Sequence, residues 1–444
     1  MMFTKTRSFN PSFINTIQED EIYHGNWWLP IHPDDKVSGV LTLSKTAGIK
    51  LNLIGMFKHD SSETLGHTFA DHDIILGSTL PGNGLITIVN CKERQRESSS
   101  ISNTVDGSVQ RFNGEYLLMG HHTCEYKNLK FSKFEFSTTY LTDWMNSKQV
   151  EIDFVNDEQT IVSTLPNKEF VIQDEGFRVI LTSWASTSLG GSYNSSQHSS
   201  ITIELDKAIT FKRFQEDFYR PLIDLVQFGS SLLNSITFLN ILPIGANKWV
   251  KMIPTNEFDQ IKRAKEPVHR YTLFLLSDLT EKNDFILNWL NFHRNTQHIF
   301  SLYFDSLHIG FQFPVTKFLN IVQSTESYHA ERTKDDNIKL RMRLQDLLIE
   351  SDDLLAPIIS NQNAFISRTI HTRNYYTHYN PKKRNKAASG IELLCLTYAL
   401  RLLLDFHLLL ACKLEKTQCK QLIIENSSFS SVKQLVNEND FWKD

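Results

Sequence analysis

Lys130-Phe131-Ser132-Lys133-Phe134-Glu135-Phe136 sets aromatic rings against polar side chains with the period of two expected of a half-buried β-strand. Lys50-Leu51-Asn52-Leu53 repeats that pattern toward the N-terminus. Short β-type runs punctuated by turn residues lie at 37–44, 49–55, 84–90, 115–120, 129–137, 149–154, 177–183 and 200–205. They predict an N-terminal antiparallel β-rich domain, sandwich-like or barrel-like, within residues 1–208. Two stretches rich in Ser, Asn and Gly, 97–107 and 186–200, read as surface loops within it.

Near Thr210 the period changes. Phe211, Phe214, Phe218, Leu222, Leu225 and Val226 recur at helical spacing up to Gly229, followed by a short region of mixed character that includes 235–241 and 247–253. This makes 209–266 a mixed connecting region. Beyond Pro267 the pattern is almost wholly helical, with segments at 281–295, 298–307, 315–331, 335–350, 362–377, 387–414 and 430–437. The fold class that follows is α+β and multidomain, with an all-α bundle at 267–444. A chain of 444 residues exceeds what one hydrophobic core usually serves.

Bulk composition narrows the function classes. With 41% hydrophobic residues, 30 Phe and 7 Trp, the chain has ample material for folded cores. A net charge of -4 confines any nucleic-acid surface to a local patch. Five cysteines, none in a Cys-x-x-Cys pair, fit neither a disulfide framework nor a zinc ribbon. The start of the chain has no apolar signal-peptide core. The most membrane-like stretch, 391–411, is interrupted by Arg401, Asp405 and His407 and reads as a buried bundle helix. A cytoplasmic protein without a membrane segment is expected.

Chemistry concentrates in Arg373-Asn374-Tyr375-Tyr376-Thr377-His378. RNA can be cut without metal when a base takes the proton of a 2'-hydroxyl, which then attacks the adjacent phosphorus. Histidine suits the proton transfers. Arginine's planar fork matches phosphate oxygens as charge builds on them, and asparagine can orient either group. On an ideal helix Asn374 and His378 lie about 40° apart, whereas Arg373 and His378 lie roughly 140° apart. Arg373 must therefore reach round, or the helix must end near His378, as Pro381 favours. Lys382, Lys383, Arg384 and Lys386 follow, beside Tyr375, Tyr376 and Tyr379. Cations for phosphates and rings for bases suit a single-stranded RNA path. The residues alone also allow a plainer reading: His378 as a helix C-terminal cation, the tyrosines as packing groups and the Lys/Arg run as a solvated turn.

The stretch resembles the Arg-x(4-6)-His signature of HEPN domains, in the ribonuclease form with Asn after Arg. The N-terminal part resembles the ApeA N-terminal domain at Trp28-Leu29-Pro30, Gly39-Val40-Leu41, Leu51-Asn52-Leu53-Ile54-Gly55, Thr87-Ile88-Val89-Asn90-Cys91, residues 116–120, and Leu141 with Trp144. Together the two resemblances cover nearly the whole chain, in the order of ApeA-type anti-phage defence proteins. They imply a metal-independent endoribonuclease that cuts single-stranded RNA or tRNA loops in abortive-infection defence, with no cofactor. They also imply a homodimer through the HEPN domain, and a phage-derived trigger sensed by the N-terminal domain. Glu326, in Glu326-Ser327-Tyr328-His329, resembles a recurring Glu-x-Tyr-His feature and would hold Arg373, or form an ordinary surface ion pair.

Other chemistry has less support. His121 and His122, adjacent on a strand end, point to opposite faces and do not jointly chelate with Cys124; His67 with His72 is no stronger. Gly82-Asn83-Gly84 lacks the Lys-Ser/Thr of a phosphate loop, and no Gly-x-Ser-x-Gly elbow occurs. Two alternatives stand beside the nuclease: a non-catalytic HEPN module binding RNA or a nucleotide for signalling or toxin-antitoxin regulation, and a β domain that itself binds a phage protein or glycan.

Overall fold

A computed structural model of the chain describes residues 20–44, 47–58, 69–82, 84–97, 108–127, 129–147, 150–156, 159–164, 166–190, 192–255, 272–308 and 313–442. His67, Asn83, residues 98–107 and the 266/267 boundary lie outside them.

The first six strands are β1 (Glu21–Trp28), β2 (Val37–Ser44), β3 (Gly48–Ile54), β4 (Asp71–Leu80), β5 (Leu85–Glu97) and β6 (Val109–Gly114). Every pairing is antiparallel, and the order β5-β4-β1-β2-β3-β6 closes because β6 also pairs with β5. Closure removes the exposed edges that an open sheet would carry. Trp27, Leu41, Leu51, Ile75, Ile88 and Phe112 are among the side chains that fill the interior. Trp27 lies over Gly77, its cross-strand partner, where an added Cβ would come within 2.2 Å of the indole.

Strand β5 is long enough to serve two neighbours. Its second half pairs with β6, and Ile86–Val89 pair with β7 (Tyr116–Met119); Asn90, with φ of 50°, stands between the two halves. From β7 the sheet runs on through β15 (Val250–Pro254), β14 (Ile236–Pro243), β8 (Lys130–Thr138), β13 (Ser192–Thr210), β12 (Phe177–Gly190) and β11 (Lys168–Asp174). A separate hairpin joins β9 (Val150–Asn156) to β10 (Gln159–Thr164). The antiparallel β-rich region is thus a closed barrel that continues into an open sheet.

β8, the strand with the strongest sequence signal, occupies the middle of that open half. Phe131, Phe134 and Phe136 are all fully buried although 131 and 134 differ in parity. The reason is a bulge: Lys133 and Phe131 face the consecutive Leu242 and Pro243. The extra residue returns Phe131 to the core face.

The stretch 186–200 is a correction. It forms the outer end of the β12–β13 hairpin, paired down to Gly190↔Ser192, and is not an irregular loop. Up to Ser200, β13 pairs with β12 alone; its pairing with β8 begins at Ile201. Backbone hydrogen bonds build such a ribbon whatever its side chains, so no apolar alternation announces it. β1, β4, β6, β10 and β11 likewise fall outside the alternating runs.

The helical part begins with α1 (Leu141–Met145) and then one run, α2 (Phe211–Phe214), a π-turn over Gln215–Tyr219 and α3 (Arg220–Ser230). Thr210 caps α2, its hydroxyl accepting from Arg213 N–H at 3.4 Å. Phe214 stacks on Phe134 with centroids 3.6 Å apart. The remaining helices are α4 (Lys282–Asn295), α5 (Gln297–His308), α6 (Pro314–Thr333), α7 (Leu340–Glu350), α8 (Gln362–His378), α9 (Gly390–Ala411), α10 (Lys416–Glu425) and α11 (Ser427–Asn439). One hydrophobic core runs from Leu118 through the open sheet and α2–α4 into the bundle, ending at Trp442. Residues 211–254 supply part of it. α7 starts five residues later than the expected 335, because Asp335 Oδ1 takes the Asn337 N–H in a local turn.

Among the described residues α9 is the one helix long and apolar enough to cross a membrane, with a mean hydropathy of 1.8, yet it is mostly buried inside the protein. Its polar groups are buried too. The Tyr303 hydroxyl donates to Asp405 Oδ1 at 2.6 Å, and Arg401 Nε lies 3.6 Å from Asp405 Oδ2. Burial pushes Asp405 up to about 6, against the pull of Arg401, and pushes His407 down to about 4. The two act oppositely on stability. Asp405 ionises more readily in the unfolded chain, so its contribution falls as pH rises from about 4 to about 6. His407 binds its proton more readily when unfolded, so its contribution rises across the same window. Asp405→Asn removes only the first, and chemical denaturation of the variant should show stability climbing from pH 4 to 6 more steeply than in the parent, by on the order of 2 kcal/mol. Equal slopes in both chains would refute the assignment.

Candidate active site

α8 is set by its inner face. Phe365, Ile366, Thr369 and Thr372 are buried at helical spacing, and Asn361 caps the start, its Oδ1 accepting from Ala364 N–H at 3.0 Å. The helix stops after His378. Tyr379 turns left-handed, with φ of 48° and its N–H on the Tyr375 carbonyl, and Pro381 opens a 3-10 turn over Pro381–Lys386. Asn380 caps that turn through the Lys382 N–H at 3.1 Å. The chain is then pinned back on α8: Ala388 N–H donates to Thr372 Oγ1 at 2.9 Å, and the Tyr376 hydroxyl donates to the Ala388 carbonyl at 3.0 Å.

On the outer side Arg373 lies between two acceptors. Nη1 reaches Asn374 Oδ1 at 3.4 Å, and Nη2 lies 3.5 Å from Glu326 Oε2 on α6. Arg373, Asn374 and Glu326 therefore meet. His378 is exposed on the last turn, and among the described residues no hydrogen bond or ion pair joins it to those three. The Arg373–Glu326 pair is partly solvated, so it orients the guanidinium more than it stabilises the fold.

The segment around Glu326 is held from within. Tyr328 donates to the His407 carbonyl at 3.0 Å, and the buried His329 contacts Asp346 Oδ2 at 3.1 Å. Arg343, itself buried, sends Nη1 to the Glu326 carbonyl at 2.5 Å, Nε to the Ile338 carbonyl at 2.7 Å and Nη2 to the Asp336 carbonyl at 2.9 Å. It locks the α6–α7 turn to the helix that carries Glu326.

Beside the end of α8 opens a cleft of about 820 Å³, lined by residues that include Arg368, Tyr375, Tyr376, Lys382, Arg384 and Ser389. Tyr375 and Tyr376 meet with centroids 5.0 Å apart, and Tyr379 lies 5.7 Å from Tyr375 with most of its ring exposed. Lys383 and Lys386 are exposed on the same 3-10 turn without lining the cleft. Burial, then the neighbouring tyrosines, pushes the Tyr376 hydroxyl up, keeping it a donor. Arg368, which lies outside the Arg-Asn-x-x-x-His motif, makes a two-pronged contact with Glu392 at 2.6 and 2.5 Å. Arg343, a cation beside the apolar stripe of α7, and His371 belong to no motif; His371 stands seven residues before His378 on the same helical face.

Elsewhere, the His122 ring bonds the Gly77 carbonyl at 2.8 Å and stands edge-on to Trp28. His72 packs against Phe57 and Phe112.

A β-barrel and sheet joined to a helix bundle, with an Arg-Asn-x-x-x-His helix end beside a basic aromatic cleft, define a two-part protein of the HEPN class. The ApeA N-terminal domain 1 family matches residues 22–307 and the Apea-like HEPN family matches residues 319–418. The chain belongs to the ApeA family. At family level this points to a ribonuclease and anti-phage defence role. No match was found among curated proteins or solved structures.

Proposed function

We propose that the protein is a metal-independent endoribonuclease that cuts single-stranded RNA, tRNA loops included, in abortive-infection defence. The observation that carries this reading is the meeting of Arg373, Asn374 and Glu326 one turn from an exposed His378, beside a cleft with cations and rings. His378 transfers the proton of the attacking 2'-hydroxyl or the leaving 5'-oxygen. Arg373, oriented by Asn374 and Glu326, takes the charge that develops on the phosphate. Lys382, Lys383, Arg384 and Lys386 attract the backbone, while Tyr375, Tyr376 and Tyr379 stack bases.

A cut needs a base and an acid, and each chain brings one motif histidine. Two copies with their α8 ends together supply both, so the active form is a homodimer through the HEPN bundle. The β-rich region, in this scheme, receives the infection signal. The division into a sensor over 1–208, a connecting region over 209–266 and a HEPN domain over 267–444 belongs to the same proposal.

Sequencing RNA ends from cells after induction tests the whole scheme. The intact chain should generate new ends at defined unpaired sites, the purified protein should reproduce them in the presence of EDTA, and His378→Ala should generate none. Loss of all cutting in EDTA, or the same ends from His378→Ala, refutes the mechanism. RNA binding without cutting under every activating condition would favour a binding module.

A further inference from the structure

The basic surface does not end at the cleft. His371 and His378, seven residues apart on α8, are offset by only about 20° and separated by roughly 10 Å along the axis. His371 is exposed and sits where three elements converge. Arg341, in the first turn of α7, donates through Nη2 to Ser367 Oγ at 3.0 Å, one turn before His371. The Ala388–Thr372 bond brings the end of the 3-10 turn, with Lys386, to the same level of α8.

Two features show that this place is unfavourable for the protein alone. α7 begins at Leu340 without a side-chain cap and without an acidic residue in its first turn, and Lys339, Arg341 and Arg343 stand at its positive end. Cations there oppose the helix dipole, where a carboxylate or phosphate would be favoured. His371, in turn, is pushed below the usual imidazole range, by partial burial and then by the charges of Lys386, Arg368, Lys383 and Arg341. Arg368 is neutralised by Glu392. Among the described residues Arg341, Lys383 and Lys386 have no ion pair. A bound polyanion would relieve both the uncompensated helix end and the crowded cations.

We propose that the exposed face of α8 from His378 to His371, with Arg341 and the uncapped start of α7 at its far end, is a second phosphate-binding station that holds the single-stranded RNA away from the cut. The inference rests on the nuclease reading and adds to it a path. His371 and His378 line one face of α8 that leads toward Arg341, so the ligand this face fits is a chain with several phosphates lying along α8 toward α7.

The test uses the full chain carrying His378→Ala, with labelled single-stranded RNAs of four and twelve nucleotides, and adds Arg341→Glu alone and together with Lys386→Glu. The gain in affinity from four to twelve nucleotides should shrink tenfold or more in the double variant. The slope of log affinity against log salt for the longer RNA should fall by more than one, since each lost phosphate contact removes about 0.7. The melting temperature of Arg341→Glu should hold or rise, because glutamate suits the start of α7; a merely structural arginine would lower it. An unchanged length dependence overturns the second station while leaving the nuclease reading intact. Failure of the parent with native His378 to bind or cut the longer RNA overturns both.

Discussion

Arg373→Ala and His378→Ala are each expected to lower RNA cleavage by at least about two orders of magnitude while unfolding at the parent's temperature. The size follows from the roles. General acid–base transfer contributes typically 10²–10⁴-fold, and removing a preorganised donor to a developing oxyanion costs about as much. The separation of activity from stability follows from the setting: His378 is exposed, and among the described residues the Arg373 guanidinium is tied to Asn374 and to a partly solvated Glu326. Neither loss leaves a buried group unsatisfied, so each should change stability by no more than about 0.5 kcal/mol. Arg373→Lys should fail nearly as badly, because an ammonium keeps the charge but not the planar fork. Parent-like cleavage by either alanine variant would end the assignment, and calorimetry on the same samples guards against unfolding as the cause.

Arg343→Leu should have the largest effect on the fold near the site. The guanidinium is buried and bonds the carbonyls of Glu326, Ile338 and Asp336. Leucine, which stops several bonds short of the guanidinium and has no donor, leaves those carbonyls unsatisfied, at a cost of about 3 kcal/mol or more. The α6–α7 turn loosens, and with it the helix position that presents Glu326 to Arg373. Cleavage measured cold, where the variant remains folded, should still fall on the order of tenfold, because small misplacements of positioning groups are expensive. A denaturation midpoint equal to the parent's would show that the clamp is dispensable. Lost stability with full activity would show that Glu326 does not position Arg373.

These expectations draw on different layers of information. The helical run ending at His378 was legible locally, since Pro381 stops it and Tyr375 to Tyr379 supply the final turn. The alternating β8 segment was legible too, although its Phe131 reaches the core only through a bulge set by Leu242 and Pro243, more than a hundred residues away. The polar ribbon 186–200 was not, because backbone pairing with an equally polar strand leaves no trace in hydropathy. Barrel closure was not legible either: it depends on β5 pairing with both β4 and β6, a choice made by registers between distant strands.

The sequence by itself determined the chemistry on offer, an arginine, an asparagine and a histidine at one helix end with cations and tyrosines behind them. Spacing along one helix is a local property, readable from 3.6 residues per turn. The tertiary structure decided which other groups serve it and how Glu326, implied by the Glu-x-Tyr-His resemblance, reaches it. Glu326 reaches Arg373 because α6 packs beside α8. Arg343 steadies Glu326 because the α6–α7 turn folds over it. Arg341 comes to His371 because α7 starts where Ser367 can meet it. Each contact joins residues 17 to 47 positions apart, or crosses from one helix to another, and distances of that kind are set by how helices pack, which no local pattern encodes.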